Sequence, residues 1–239
     1  MEFGDQARIT YVMGGLAREF SEPVEALRAV LDAAAHSGMP VDPRVWLDGP
    51  PTSSYPACQA VKAAAEQRLD GPYLRVLREG IMCERRTMDT ADALIEAARG
   101  VVGLDVARFA SALRSSATAE AFGADVERAR AACPEQGRTG RVGFPSFELR
   151  GNDGVVHAVP NPGDPARLRA AALAAGGVPG PPPTVPELLA PGGRFAAPEV
   201  AAACDLPGPL AQVQLWQEAA GWRARPQRIL SGELWSAAL

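Results

Sequence analysis

The sequence is poor in lysine, histidine and cysteine, and each shortage argues against a class of function. Lys62 is the only lysine, there are two histidines, and 28 acidic residues outnumber 24 basic ones to give a net charge of −4. Such a balance offers a polyanion such as nucleic acid no overall attraction. Four cysteines in 239 residues do not make a disulfide-stapled scaffold.

Long apolar runs and a leader pattern are also missing. The mean hydropathy is −0.06, and no apolar run reaches membrane length, so no membrane partner is expected. The chain opens Met-Glu-Phe-Gly-Asp without a basic or apolar leader region, which predicts a cytoplasmic, reducing location. A hydrophobic content of 47% and a charged content of 22% are typical of a folded globular domain.

The first part of the chain predicts one strand followed by helices. Arg8 to Met13 is rich in β-branched and aromatic residues and stops at two glycines, which predicts a buried strand. From Ser21, a predicted N-cap, the apolar period becomes helical, and residues 46–54 are predicted as a loop. Helices are predicted from Ser21 to Gly38, over Pro56–Gln67 and Pro72–Arg85, over Thr90–Arg99 capped by Asp89, over Val106–Leu113 capped by Asp105, and over Thr118–Ala132.

The second part predicts a hairpin, a helix, a linker and a small tail. Val142–Arg150 and Val155–Val159 alternate as strands around an Asn-Asp-Gly turn, and a helix follows over Asp164–Ala175. Residues 176–183 are mostly glycine and proline and predict a linker. Since neither the first strand nor the hairpin is stable alone, we expect one α/β sheet interrupted by a helical insertion.

Phe144-Pro145 stands inside a strand pattern, where proline cannot donate to the ladder. Two interpretations remain open from these residues. Pro145 can be a trans proline at a strand start, or it can follow a cis peptide bond. A cis bond would expose the backbone of Gly143 and Phe144 beside a groove that suits an extended peptide.

Five segments in order carry a resemblance to a known family: ITYVMGGLAREF, SSYPACQAVKAAA, LREGIMCERRTMDTADAL, GRVGFPSFEL and NDG. They resemble the DsbA-like thioredoxin-fold proteins, and more narrowly the FrnE-type subgroup of dithiol–disulfide isomerases, to which a Clp-protease adapter also belongs. The resemblance extends to about Ala175. It implies that Pro145 is the cis proline of the family and that Gly143, Phe144 and Pro145 bind substrate.

The resemblance also implies an architecture and an activity. A thioredoxin-like (DsbA-type) sheet region is expected over residues 1–20 and 138–176, an all-helical insertion over 21–137, and a linker with a small winged-helix-like C-terminal appendage over 177–239. The implied activity is that of a thiol–disulfide oxidoreductase or isomerase. Its partners would be protein or peptide thiols and disulfides, and no cofactor is implied.

The redox motif of that family is absent from this sequence. Family members open with a strand and then C-x-x-C at a helix N-terminus, where the helix end lowers the thiol pKa. No two of Cys58, Cys83, Cys133 and Cys204 form such a pair. The chain is therefore expected to have weak or no exchange activity, either as a shortened reading frame or as a copy without the redox centre. The alternative function is that of a redox-inactive, protein-binding adapter of the same fold.

Cys58 is a weak candidate for a reactive thiol. It lies in the first turn of a predicted helix, where a thiolate would be stabilised. A packed small residue among alanines is the simpler interpretation. Cys83 and Cys204 are expected to be packed and inert, and Cys133 ends a helix with no evident partner.

Other kinds of site are not supported. His36 and His157 have no ligand spacing around them, so no metal site is expected. Ser146, His157 and Asp153 could be drawn as a triad, but a hairpin places alternate residues on opposite faces, and no nucleophile elbow is present.

The predicted winged-helix-like tail is not expected to bind nucleic acid, because Leu210–Trp222 carries no positive side chain before Arg223. Trp216 and Trp222 are instead expected to pack against the main domain or a second subunit. The strand Arg8–Met13 is expected to pair with Val142–Arg150, or with a strand lent by another subunit in a homodimer.

Overall fold

The computed structural model describes residues 2–132, 143–160 and 163–238. A 3₁₀ turn over Gly4–Gln6 precedes the helices. The helices are α1 (Pro23–Ser37), α2 (Val45–Asp48), α3 (Tyr55–Ala65), α4 (Asp70–Cys83), α5 (Ala91–Ala98), α6 (Val106–Leu113), α7 (Ser116–Ala132), α8 (Pro165–Ala174), α9 (Val185–Leu189), α10 (Ala197–Ala203) and α11 (Gly208–Ala220). The strands are β1 (Ser146–Arg150), β2 (Val156–Pro160), β3 (Phe195–Ala196), β4 (Ala224–Ile229) and β5 (Gly232–Ala237).

The chain folds into two compact units. The first unit contains residues 1–16 and 120–181, and the second contains 17–119 and 182–239. The second unit thus holds both α1–α6 and the segment that follows the glycine- and proline-rich linker. The domain boundaries inferred from the sequence stay a prediction.

Helices α3–α6 form the centre of the second unit. Ala60, Ala63 and Ala64 of α3 are fully buried, and their small side chains let neighbouring helices approach closely. Tyr73 of α4 packs its ring 4.9 Å from that of Phe109. Its hydroxyl donates to the Leu94 carbonyl at 2.9 Å, so this buried polar group is satisfied.

The ends of these helices test the local predictions. Asp105 caps α6 as predicted, because its side chain accepts from the Arg108 N–H. The prediction for α5 was wrong by one residue: Thr90 is the N-cap. The Asp89 carboxylate instead accepts hydrogen bonds from the backbone and hydroxyl of Thr52. Similarly, α1 begins after Glu22 rather than Ser21.

Residues 184–238 form three helices against a three-stranded antiparallel sheet. The strand order is β3-β5-β4, with Ala224 opposite Ala237 and Ile229 opposite Gly232. The core of this segment includes Val185, Leu188, Val200, Leu215 and Trp235. It has a hydrophobic centre of its own within the second unit.

Charged side chains attach this C-terminal segment to α4. The Arg75 guanidinium contacts the Glu79 carboxylate and the Glu199 carboxylate. From the C-terminal side, Arg194 donates to Glu79 at 2.7 Å and pairs with Glu84 at 2.6 Å. These contacts with Glu84 and Glu79 raise the pKa of Arg194, although burial opposes the rise. We call Arg75, Glu79, Glu84, Arg194 and Glu199 the charge network.

The first unit contains the predicted hairpin. β1 and β2 pair antiparallel from Ser146 opposite Pro160 to Arg150 opposite Val156, and the turn is closed by a hydrogen bond from the Gly151 N–H to the Val155 carbonyl. Helix α8 follows, and the Asp164 side chain caps it as an acceptor of the Ala166 N–H. The hairpin and this helix are confirmed to within a few residues of their predicted ends.

The predicted strand Arg8–Met13 is wrong for the part of the chain that the structure describes. Residues 7–15 form neither helix nor strand, and the Met13 N–H donates to Oδ2 of Asp125 at 2.9 Å. A β-rich composition makes a strand only when a neighbour accepts its backbone hydrogen bonds. β1 pairs with β2 and not with these residues. A strand lent by another subunit stays a prediction.

The predicted loop over residues 46–54 is partly wrong, since α2 occupies residues 46–48 of it.

Across residues 2–132, 143–160 and 163–238, no helix has both the length and the apolar character needed to cross a bilayer.

Candidate functional site

The candidate site is the start of β1 and the residues that precede it. The Phe144–Pro145 peptide bond is cis, and the Ser146 hydroxyl donates to the Gly143 carbonyl at 2.7 Å. The side chains of Phe144 and Phe147 are 39% and 37% exposed. Two aromatic rings therefore reach solvent beside the first residues of the strand.

Gly14 gives the Phe144 ring its place in the first unit. A Cβ atom built on Gly14 would lie 2.0 Å from Cζ of Phe144, closer than any real contact. Any larger residue at position 14 would therefore require the Phe144 ring to move away. The sequence pattern predicted only a strand end at the two glycines and did not reveal this contact. The signal available was an apolar run that ends at Gly14-Gly15.

The outer edge of β1 has no strand beside it in the part of the first unit that the structure describes. β1 is hydrogen-bonded to β2 along one edge, and residues 2–16, 143–160 and 163–181 supply no strand along the other edge of Phe147–Arg150, which we call the open edge. Phe147 and Leu149 share one face of the hairpin with their partners Val159 and His157. Glu148 projects to the opposite face and pairs with Arg128 at 3.0 Å. An open edge flanked by apolar rings can accept an added strand.

Two of the described thiols, those of Cys83 and Cys204, are poorly suited to form thiolates. Burial, together with the nearby Glu79 carboxylate, raises the pKa of Cys83 to about 11. Burial and the charge of Glu187 likewise raise the pKa of Cys204. Cys58 is half-buried in the first turns of α3, where its N–H donates to the Ser54 carbonyl at 3.1 Å. Cys133 lies outside the described residues.

No other predicted chemistry is assembled in the described part of the chain. No group of three or more His, Cys, Asp or Glu side chains there could hold a metal ion. In the hairpin register, Ser146 pairs with Pro160 and His157 pairs with Leu149. Since Ser146 and Leu149 are three residues apart on β1, the side chains of Ser146 and His157 lie on opposite sides of the hairpin. Asp153 is used in the turn, where it accepts from the Val155 N–H at 2.9 Å.

Two concavities lie in the second unit. A cavity of about 340 Å³ adjoins Arg75, Glu79, Arg194 and Phe195. A wider groove of about 1000 Å³ is bordered by the end of α1, by α10, by the start of α11 and by the β4–β5 turn. Neither of these two concavities is lined by Gly143, Phe144 or Pro145.

Sequence comparison shows the family to which the chain belongs. A sequence model of the thioredoxin family matches residues 1–132, which is more than half of the chain, and the chain belongs to that family. Among characterised proteins it is similar to the ClpXP adapter protein SpxH of Halalkalibacterium halodurans, with 40% identity over 95 residues. The match covers 38% of this chain and 30% of that protein, so the chain spans less than a third of the relative.

Proposed function

We propose that this chain is a protein-binding member of the thioredoxin family, of the DsbA-like FrnE type, which holds an extended peptide segment of its partner along the outer edge of β1. The observation that carries the proposal is the open edge of β1 beside the exposed rings of Phe144 and Phe147. We further propose that the chain acts as an adapter in the cytoplasm.

Peptide binding is better supported than disulfide exchange, because the pKa values of the Cys83 and Cys204 thiols are raised. A thiol with a pKa of about 11 is ionised in roughly one molecule in ten thousand at neutral pH, and only the thiolate attacks a disulfide. The 239 residues contain no C-x-x-C. What the site offers instead is a strand edge along Phe147–Arg150 that no described strand covers, and apolar surface beside it.

The expected complex adds a third strand to the hairpin. Backbone groups of Glu148 and Arg150 would pair with the peptide, each bond contributing about 1 kcal/mol. Alternate peptide side chains would point to one face, where apolar residues can contact Phe147. Gly143, Phe144 and Pro145 would contact the end of the peptide nearest the strand start.

The named relative supports this proposal at the level of class. SpxH is named as an adapter of ClpXP, and an adapter works by holding another protein. For this chain the partner's identity is left open, and the recognised feature is an extended, apolar segment.

The test is peptide binding by hairpin variants. Peptides selected from a displayed library of random linear sequences would be measured by fluorescence anisotropy against the wild type, Phe147→Glu and Phe144→Ala. We expect at least a tenfold loss of affinity in Phe147→Glu, because a charge would face the apolar peptide side chain. Val155→Glu is the matched control, since Val155 is 49% exposed at the hairpin turn. If no peptide is selected, or if Phe147→Glu binds as well as Val155→Glu, the proposal is wrong.

Cys58 favours a second candidate, the oxidoreductase of the same family. Its place in the first turns of the 11-residue helix α3 is where a helix stabilises a thiolate. Insulin reduction with a dithiol as electron donor decides between the two. We expect equal, background rates for the wild type and Cys58→Ser; turnover by the wild type that Cys58→Ser abolishes would replace the adapter with an enzyme.

A further inference from the structure

The outward face of α11 is apolar, although this helix is placed like a recognition helix. The order α9, β3, α10, α11 and then the β4–β5 hairpin resembles a winged helix, in which the third helix enters a DNA groove. In α11, Ala211 and Leu215 are fully buried in the core. Away from this buried side of the helix, Val213 and Trp216 are 50% and 54% exposed.

The charge of this face does not suit nucleic acid. The only charged residue of α11 is Glu218, and its partner Arg223 at 2.6 Å lowers the Glu218 pKa. On the neighbouring hairpin, Arg228 pairs with Glu233 at 2.8 Å and Arg225 donates to the Ser236 hydroxyl at 3.3 Å. Residues 182–238 hold five acidic and four basic side chains, so the segment as a whole does not attract a polyanion.

Trp216 packs against the core of the C-terminal segment on one side of its ring and is exposed to solvent on the other. Its ring meets that of the buried Trp235 edge to face, with centroids 4.9 Å apart. An aromatic ring that is already fixed loses little further entropy when a partner covers it, as in the centres of protein interfaces. Trp222, two residues after the helix, is 88% exposed. The expectation that it packs against the main domain is therefore wrong, while its packing against a second subunit stays open.

We infer that a second copy of this chain covers the α11 face, forming a two-fold symmetric homodimer through Val213, Trp216 and Trp222. A two-fold interface brings the same patch against itself, and a face without unpaired charge can do so without repulsion. This inference goes beyond the proposed function, since the peptide edge belongs to the other unit.

The available area is consistent with a dimer of ordinary size. A tryptophan carries up to about 250 Å² of surface, so the exposed fractions of Trp216 and Trp222 amount to roughly 350 Å² per protomer. Each partner of a standard interface buries about 800 Å², of which somewhat more than half is apolar. Leu210, which is 42% exposed, and Val213 supply more of the apolar part, and Gln212 and Gln217 supply a polar rim.

The test is the mass of the full chain in solution. Sedimentation velocity and light scattering on the wild type at micromolar concentrations should give twice the chain mass of 25.0 kDa. Val213→Arg should be a monomer, because it brings two positive charges together across the axis. Val213 is half exposed, so the variant should keep the wild-type circular dichroism.

Val102→Arg places the same charge at a valine that is 95% exposed between α5 and α6, and it should remain a dimer. A monomeric wild type, or a Val213→Arg protein that is still dimeric, would overturn the inference. Retardation of random-sequence duplex DNA by the wild type at low salt would instead assign the face to nucleic acid.

Discussion

The two units differ in how completely they bury their own residues. In the second unit, Tyr73, Phe109, Leu215 and Trp235 are covered almost fully. In the first unit, the hairpin is exposed along most of β1, and Val159 is its buried residue. A segment that covers its own backbone and apolar surface is built for stability, whereas one that leaves both open is suited to hold something else.

The largest effect is expected from the core of the second unit. Trp235→Ala should lower the free energy of unfolding by about 4 kcal/mol, because it removes a large buried ring and leaves a cavity. Urea unfolding followed by circular dichroism measures the loss. The control Val102→Ala shortens an apolar side chain at a 95% exposed position and should change stability by less than about 0.5 kcal/mol. Equal losses in the two variants would contradict the division between a closed core and an open surface.

An intermediate effect is expected from the charge network. Arg75→Met should cost about 2 kcal/mol, since it leaves Glu79 and Glu199 facing each other with less compensation. This is below the 3–5 kcal/mol typical of a fully buried pair, because the Arg75 side chain is 34% exposed. Urea unfolding of Arg75→Met is compared with that of Arg78→Met, an exposed position on the same helix.

Limited proteolysis locates the Arg75→Met effect. Cleavage near Gly192 and Gly193, which directly precede Arg194, should become faster in Arg75→Met and stay unchanged in Arg78→Met. A variant Arg75→Met with wild-type stability and wild-type cleavage would show that apolar contacts alone hold the C-terminal segment.

The smallest effect on stability, but a clear one on binding, is expected in the first unit. In Gly14→Ala the new methyl group would overlap the Phe144 ring. That ring is partly exposed and can swing away, so we expect a stability loss below about 1 kcal/mol. Displacing the ring should nevertheless weaken the peptides selected by the wild type several-fold, as measured by anisotropy. A large stability loss in Gly14→Ala would show that the first unit is as tightly packed as the second.

The same contrast explains which features could be predicted from the sequence. The hairpin turn and the Asp105 cap depend on residues a few positions apart, and each was predicted correctly. The strand Arg8–Met13 failed because a strand depends on a distant neighbour that composition does not reveal. Asp89 and Thr90 are both good caps, and only the tertiary contact with Thr52 separates them.

The candidate site was only partly readable from the sequence. The position of Gly143, Phe144 and Pro145 beside a strand followed from local pattern and from the family resemblance. The approach of Gly14 to Phe144 and the open edge of β1 could not, because both depend on the arrangement of segments far apart in the chain. The exposure of Trp222 was missed for a related reason: large apolar residues are expected inside, and the exceptions are set by the fold.

The bridge from Arg75 to Glu199 also bears on how force passes through the second unit. A glycine- and proline-rich linker over residues 176–183 precedes the C-terminal segment, and by itself it would not fix that segment against α4. The guanidinium groups of Arg75 and Arg194 join α4 to the C-terminal segment at several points. A force applied to the C-terminal segment would therefore be transmitted to α4 through these ion pairs.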